Sequence, residues 1–220
     1  MHILRSVRRF VQQKRFVGNE RVRARRVRPR KAQGRYLMQP VEGFIRDCVA
    51  GTDRLVILGA GSTLKADDAA GTLIADRLIE KYSQNCSERL RIYSGNTAPE
   101  NYTGAVKAFS PGRLIIIDAA DFGEAPGSVS SIDPRVIDGV SFSTHMLPLK
   151  ILTDYLRRET GCETVVIGIQ PQELGVGSPM SAAVKRTVAR ITKAFETALL
   201  EAGFLPFKKH KRLTGLSRNP

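Results

Sequence analysis

The sequence predicts an α/β fold, a single three-layer domain in which a twisted, mostly parallel sheet of about five strands lies between helices. Short apolar, β-branched runs alternate along the chain with longer segments whose apolar residues have helical spacing. Glycines follow several of the apolar runs, where the chain must turn from strand into helix. This alternation implies parallel pairing, right-handed crossovers and helices on both faces of the sheet.

Five segments are predicted as strands. Segments 54–61, 113–119 and 164–171 are almost continuously apolar, as expected for strands that are buried on both faces. Segment 90–95 is a shorter strand, and segment 127–133 alternates like a strand with one exposed face. The strands therefore occur along the whole length between residues 54 and 171.

Five helices are predicted around these strands, from apolar positions at helical spacing. They cover 41–49, 67–82, 99–109, 146–161 and 179–203. The helix from 67 begins with two aspartates, whose charge the helix dipole favours at that end. The helix from 146 has Pro148 in its first turn and stops at Gly161.

Composition excludes several classes of protein. The chain has 220 residues, enough for one domain with a core, and 42% are hydrophobic. No stretch is apolar for long enough to span a bilayer, and no secretory signal is expected. Cys48, Cys86 and Cys162 are isolated, which argues against a disulfide framework, an iron–sulfur site or a structural zinc site. We therefore expect a cytoplasmic protein.

The net charge of +14 lies in the two ends of the chain. Residues 1–36 carry 13 basic residues and one acidic residue, and residues 205–220 carry five basic residues and no acid. The remainder has a slight acidic excess. We therefore predict a basic, disordered N-terminal extension (1–37), an α/β domain (38–204) and a basic C-terminal tail (205–220).

The basic extension has several interpretations. It could bind nucleic acid or an anionic membrane, or serve as a transit peptide, although it contains little serine. Alternatively, translation starts at Met38, directly before the globular pattern begins. A nucleic-acid-binding module with a catalytically idle α/β core is thus one candidate function.

Three residues far apart in the chain form the candidate site: Asp68, Asp118 and His145. Each lies where an apolar strand or the loop after it gives way to a helix, and such positions gather at one edge of a parallel sheet. Two carboxylates and one imidazole that converge there could bind a divalent metal and leave room for further ligands.

Each of these residues also has a purely structural interpretation. Aspartates at a helix start often act as caps, but a cap needs only one of the pair Asp67–Asp68. Asp118 directly follows four apolar residues, where an unpaired carboxylate is costly to bury. Asp121 is a weaker candidate for a supporting role. His145 is the only histidine outside the basic ends, and neighbouring hydroxyls could orient its ring.

Other chemistries have weaker support. The glycines of segment 59–71 begin like a dinucleotide-binding loop, but Leu64 occupies the place of the third glycine, and the ending of a P-loop is absent. The chain contains no Gly-x-Ser-x-Gly nucleophile elbow. Candidate nucleophiles without motif context are Ser62, Ser143 and Cys162. A metal-free aspartic dyad formed by Asp68 and Asp118 would leave His145 without a role.

Five segments together resemble one protein family. They are GSTLKADDAAG (61–71), APEN (98–101), IIDAAD (116–121), STHMLPL (143–149) and GIQP (168–171). In this order and at this spacing they are similar to the hydrogenase maturation endopeptidases, and most closely to the HycI-type proteases. The resemblance runs from about residue 54 to residue 200.

The resemblance implies an activity, a partner and a metal. Proteases of this family remove a C-terminal extension from the precursor of a [NiFe] hydrogenase large subunit after nickel insertion, and nickel is the recognition signal. The metal-contacting positions of the family fall on Asp68, Asp118 and His145. Nickel is then supplied by the precursor, with other divalent metals as alternative occupants. A monomer without membrane insertion is expected, with nucleic-acid contact only through the basic ends.

The chain departs from the family pattern in the first motif. Ser62 stands where the family prefers asparagine, and Ala66 and Ala69 stand where it usually has glycine. Alanine is tolerated at these positions only if they keep negative φ angles, so we expect the geometry of this loop to differ slightly from that of the family. A nickel-binding maturation chaperone that uses the same ligands without cleavage is the remaining alternative.

Overall fold

The computed structural model describes residues 35–36, 40–82, 87–132 and 146–206. Most of the two basic segments lies outside these ranges, and so does the predicted ligand His145. The proposed domain boundaries, and the functions considered for the basic ends, therefore stay predictions.

Within the described residues, six strands form one sheet. They are β1 (Arg35–Tyr36), β2 (Leu55–Ala60), β3 (Leu90–Asn96), β4 (Arg113–Ala119), β5 (Val129–Ile132) and β6 (Glu163–Ile169). Their order is β1-β5-β6-β4-β2-β3. Strands β6, β4, β2 and β3 are parallel, β5 is antiparallel to β6, and β1 is antiparallel to β5. The mostly parallel sheet and its five predicted strands are confirmed; the two-residue β1 was not predicted.

Five α-helices accompany the sheet in the described ranges. They are α1 (Val41–Val49), α2 (Ala70–Tyr82), α3 (Thr103–Phe109), α4 (Met146–Thr160) and α5 (Ala182–Glu201). Two of the predicted helices begin differently, because 3₁₀ turns (Ala66–Ala69 and Pro99–Tyr102) precede α2 and α3. Helix α5 begins later than predicted, after the N-cap Ser181, whose side chain accepts a hydrogen bond from the Val184 backbone N–H.

The three layers follow from the alternation of side chains along the strands. In β2, Leu55 and Ile57 pack into one core with α1, α2 and α5, whereas Val56 and Leu58 pack into the other. The second core contains buried residues of α3 and α4. Both faces of the central strands are thus covered, which explains why their sequences are apolar without alternation.

Close packing between α2 and the sheet depends on two glycines. A Cβ atom at Gly71 would lie 2.0 Å from the carbonyl oxygen of Ile117 and 2.5 Å from that of Ala60. A Cβ atom at Gly59 would lie 2.2 Å from the carbonyl oxygen of Gly71. The start of α2 therefore rests directly on the ends of β2 and β4, at the carboxyl edge of the parallel strands.

No helix in the described ranges is both long enough and apolar enough to cross a membrane.

Candidate active site

The turn that follows β2 builds the first part of the site. Gly61 has a φ of +120°, and a Cβ atom there would lie 1.7 Å from the carbonyl oxygen of Asp68. The hydroxyl of Thr72 donates to the Gly61 carbonyl at 2.8 Å, which ties the turn to the first residues of α2. Only glycine allows the backbone to pass so close to the Asp68 carbonyl, so the geometry of this turn requires glycine at position 61.

Asp68 lies at the carboxyl edge of the sheet, inside the first 3₁₀ turn. Its side chain is 3% exposed, and its Oδ2 atom accepts a hydrogen bond from the Ser62 backbone N–H at 2.9 Å. The 3₁₀ turn contacts β4, the strand that carries Asp118. The structure thus brings the turn that carries the first predicted ligand against the strand that carries the second.

Asp67 has a different role from its neighbour. Its buried carboxylate accepts backbone hydrogen bonds from Gln172 at 2.8 Å, Glu173 at 3.0 Å and Ser181 at 2.7 Å. Three backbone donors satisfy this carboxylate and fix the loop between β6 and α5. Of the two aspartates, Asp67 therefore holds the structure together and Asp68 stays the candidate for chemistry.

Asp118 lies near the end of β4, which has strands on both sides. Its neighbour in register is Gly168 of β6, and the preceding residue, Ile117, is opposite Gly59 of β2. The Asp118 side chain is fully buried. The structure thus gives Asp118 the position that the sequence predicted, at the carboxyl edge of a very apolar, β-branched strand.

The third predicted ligand, His145, lies outside the described residues. Helix α4 begins at the next residue, and its last turn lies beside that of α3, where Lys107 forms an ion pair with Glu159. Helix α3 leads into the amino end of β4, so the other end of α4 lies toward the carboxyl edge. In the described ranges, no three His, Cys, Asp or Glu side chains form a metal-binding group. Because His145 lies outside those ranges, the triad stays a prediction.

Gln170, directly after β6, is a residue that sequence reasoning assigned no role. Its Oε1 atom accepts hydrogen bonds from the backbone N–H groups of Phe122 at 2.9 Å and Glu124 at 3.2 Å. Its Nε2 atom donates to Asp121 at 3.1 Å and to the Pro171 carbonyl at 3.2 Å. Gln170 therefore holds the loop after Asp118. The signal that could have found it is a buried polar residue at a strand end, the same signal that identified Asp118.

The cysteines give no support to thiol chemistry at this edge. Cys162 is buried directly before β6, so it lies at the amino edge of the sheet, whereas Asp118 lies at the carboxyl edge. Burial raises the pKa of Cys48 to about 12, which keeps its thiol protonated at neutral pH. Cys86 lies outside the described residues.

The condition of negative φ is not met at one of the two loop alanines. Ala66 has a φ of +26°, whereas Ala69 is not among the described residues with positive φ. Ala66 initiates the tight 3₁₀ turn that carries Asp67 and Asp68, and its side chain is buried. The chain therefore adopts, with alanine, a backbone conformation that favours glycine.

Ala66→Gly is expected to raise the free energy of unfolding by up to about 1 kcal/mol. Relief of left-handed strain, roughly 1–2 kcal/mol, exceeds the extra chain entropy of glycine, about 0.5–1 kcal/mol. Ala69→Gly is the matched control in the same turn. It should lower the free energy of unfolding by about 0.5–1 kcal/mol, because glycine adds chain entropy there and no strain is relieved. Urea unfolding of both variants measures the difference, and equal destabilisation by the two would contradict the assignment of strain to Ala66.

Comparison with known proteins decides the family. The model of the HycI hydrogenase maturation protease family matches residues 74–198. The chain belongs to this family. Its membership confirms the resemblance inferred from the five sequence motifs, and with it the predicted enzyme class, a hydrogenase maturation endopeptidase.

Individual members of the family give the same result. The chain is 34% identical over 142 residues to the hydrogenase 3 maturation protease of Escherichia coli K12, covering 64% of this chain and 88% of that protein. A putative hydrogenase maturation protease of Methanocaldococcus jannaschii is 33% identical, with 64% and 86% covered. The crystal structure of the [NiFe] hydrogenase maturation protease HycI from Thermococcus kodakarensis matches with a TM-score of 0.65 and 33% identity, over 71% of this chain and 99% of that one.

Proposed function

We propose that this HycI-family protease is a nickel-dependent endopeptidase that removes the C-terminal extension of a [NiFe] hydrogenase large-subunit precursor after nickel insertion. The observation that carries the proposal is the pair of buried carboxylates at one edge of the sheet, Asp68 in the turn against β4 and Asp118 at the end of that strand. A buried carboxylate needs a cation or hydrogen-bond donors, and two at one edge suit a divalent cation.

In this proposal the metal arrives with the substrate. Asp68, Asp118 and His145 complete the coordination of a nickel ion that the precursor already holds, and this contact positions the scissile bond at the carboxyl edge. Carboxylate and imidazole donors without a thiolate bind such an ion more weakly than a site with cysteine ligands. The enzyme therefore does not need to retain nickel in the absence of the precursor. We expect the enzyme to act as a monomer in the cytoplasm.

The test is processing of purified precursor by the full-length protein. The wild type is expected to shorten nickel-loaded precursor and to leave nickel-free precursor intact, as measured by intact mass. His145→Ala should abolish processing, whereas His210→Ala, a matched change in the basic C-terminal tail, should not. Unchanged cleavage by His145→Ala would refute the metal-contacting role. Nickel-dependent binding without any shortening of the precursor would identify a maturation chaperone instead.

A further inference from the structure

We infer that an exposed apolar ridge beside Asp68, formed by Leu64, Leu174 and Val176, is the docking surface for an apolar segment of the hydrogenase large-subunit precursor. The inference rests on the function proposed above, because it assigns the precursor as the polypeptide that reaches Asp68. It adds a specificity-determining surface, separate from the three predicted metal-contacting residues.

The exposure of the ridge distinguishes it from the rest of the surface. Leu64 is 73% exposed, Val176 74% and Leu174 45%. In the described ranges, the fourth exposed large hydrophobic residue is Ile151 of α4, at 40%. Single exposed apolar side chains are ordinary, but three in one place, while the rest of the described surface has one, indicate an interaction site.

Backbone hydrogen bonds join the two segments that carry the ridge. Lys65 forms an antiparallel bridge with Val176, and the Gly177 N–H donates to the Leu64 carbonyl at 2.9 Å. Closer to Asp68 along the same two segments, the Asp67 N–H donates to the Glu173 carbonyl at 3.0 Å. Leu64 and Val176 therefore lie at diagonal positions of two paired segments, on a short ribbon that leads directly into the turn of Asp68.

The buried Asp67 carboxylate holds this ribbon in place. Its three backbone hydrogen bonds fix both ends of the loop from Gln172 to Ser181. A loop fixed in this way loses little conformational entropy when a partner binds, which favours affinity. The backbone that carries Leu174 and Val176 is thus held in place while both side chains stay exposed, although water would favour their burial.

The charge of the loop indicates the chemistry of its partner. Residues 172–181 contain a single charged side chain, Glu173, whereas 25% of the whole chain is charged. The Oε1 atom of Glu173 accepts a hydrogen bond from the Gly175 N–H at 2.5 Å, so this carboxylate serves the loop itself. Lys65, the bridge partner of Val176, adds a positive charge beside the ridge. An apolar ridge next to a cation suits an apolar polypeptide segment better than the basic ends of this chain.

Steady-state processing of the nickel-loaded precursor tests the inference. Val176→Ser and Leu64→Ser are each expected to raise KM about tenfold while kcat stays unchanged, because they remove apolar contact made equally in the ground and transition states. Ile151→Ser makes a comparable change in exposed apolar surface on α4 and should leave KM unchanged. Unchanged KM in both ridge variants, with folding confirmed by circular dichroism, would overturn the docking role.

Direct binding separates this inference from the proposed function. Affinity of the full-length protein for immobilised precursor is expected to fall about tenfold in Val176→Ser, whether or not cleavage follows. A wild type that binds precursor through the ridge without cleaving it would sink the protease function and leave the docking surface intact. A dimer in light scattering that Val176→Ser converts to a monomer, with precursor affinity unchanged, would show that a second copy covers the ridge and would overturn the inference.

Discussion

Asp118→Asn is expected to lower the rate of precursor processing by at least about a hundredfold. Loss of an outer-shell partner of a metal ligand already costs roughly 10–100-fold, so loss of a predicted ligand should cost at least the upper value. Asparagine has nearly the same shape, so the change removes the negative charge from the fully buried site while conserving volume. Initial rates with nickel-loaded precursor, measured by intact mass, give the effect.

Asp121→Asn is the matched control for this change. Asp121 is exposed, and its Oδ1 atom accepts hydrogen bonds from Gln170 and from the Gly123 N–H, which an asparagine oxygen can keep. Its processing rate should equal that of the wild type. A wild-type rate in folded Asp118→Asn would remove Asp118 from the site. Cleavage of nickel-free precursor that both Asp68→Asn and Asp118→Asn abolish would favour the metal-free aspartic dyad.

Gly71→Ala is expected to lower the free energy of unfolding by about 3 kcal/mol or more, at the upper end of the cost of overpacking. The added methyl group would lie 2.0 Å from one backbone carbonyl oxygen and 2.5 Å from another. Neither oxygen can move without displacing β2 or β4, so α2 must shift away from the sheet. Denaturant unfolding measures the change, and processing should fall with it because the Asp68 turn precedes α2 directly.

Gly104→Ala is the matched control, because the same substitution at this position is expected to stabilise the protein. Gly104 lies in α3, and a Cβ atom there would meet nothing within 4 Å. Alanine should therefore raise the free energy of unfolding by about 0.5–1 kcal/mol through its better helix propensity. Equal effects of the two substitutions would show that the contacts of Gly71 do not limit how closely α2 packs on the sheet.

The fold was predictable from sequence because its strands are unusually apolar. The run that becomes β4 is buried on both faces, a pattern typical of a central strand in a sheet with helices on both sides. Strand β5 was recognisable by alternation, and its residues do alternate between half-buried and buried. Its antiparallel direction follows from its pairing with β6, which local sequence does not specify.

The sequence predicted Asp68 and Asp118 at the carboxyl edge of the sheet, where the structure has them, but it did not distinguish the role of Asp68 from that of Asp67. Asp67 and Asp68 are identical in type and adjacent, so sequence alone could not tell which one is satisfied by structural hydrogen bonds. The distinction depends on backbone donors more than 100 residues later in the chain, at Gln172, Glu173 and Ser181. The positive φ at Ala66 likewise results from the tight turn before these aspartates and opposes the local preference of alanine.

The three backbone bonds to Asp67 also have a consequence for biosynthesis. The residue that donates the last of them, Ser181, lies 114 positions after the carboxylate that accepts it. A nascent polypeptide still on the ribosome lacks these partners until all but its final helix and tail have been translated. The loop that Asp67 fixes can therefore form only late in biosynthesis, after Ser181 has been added to the chain.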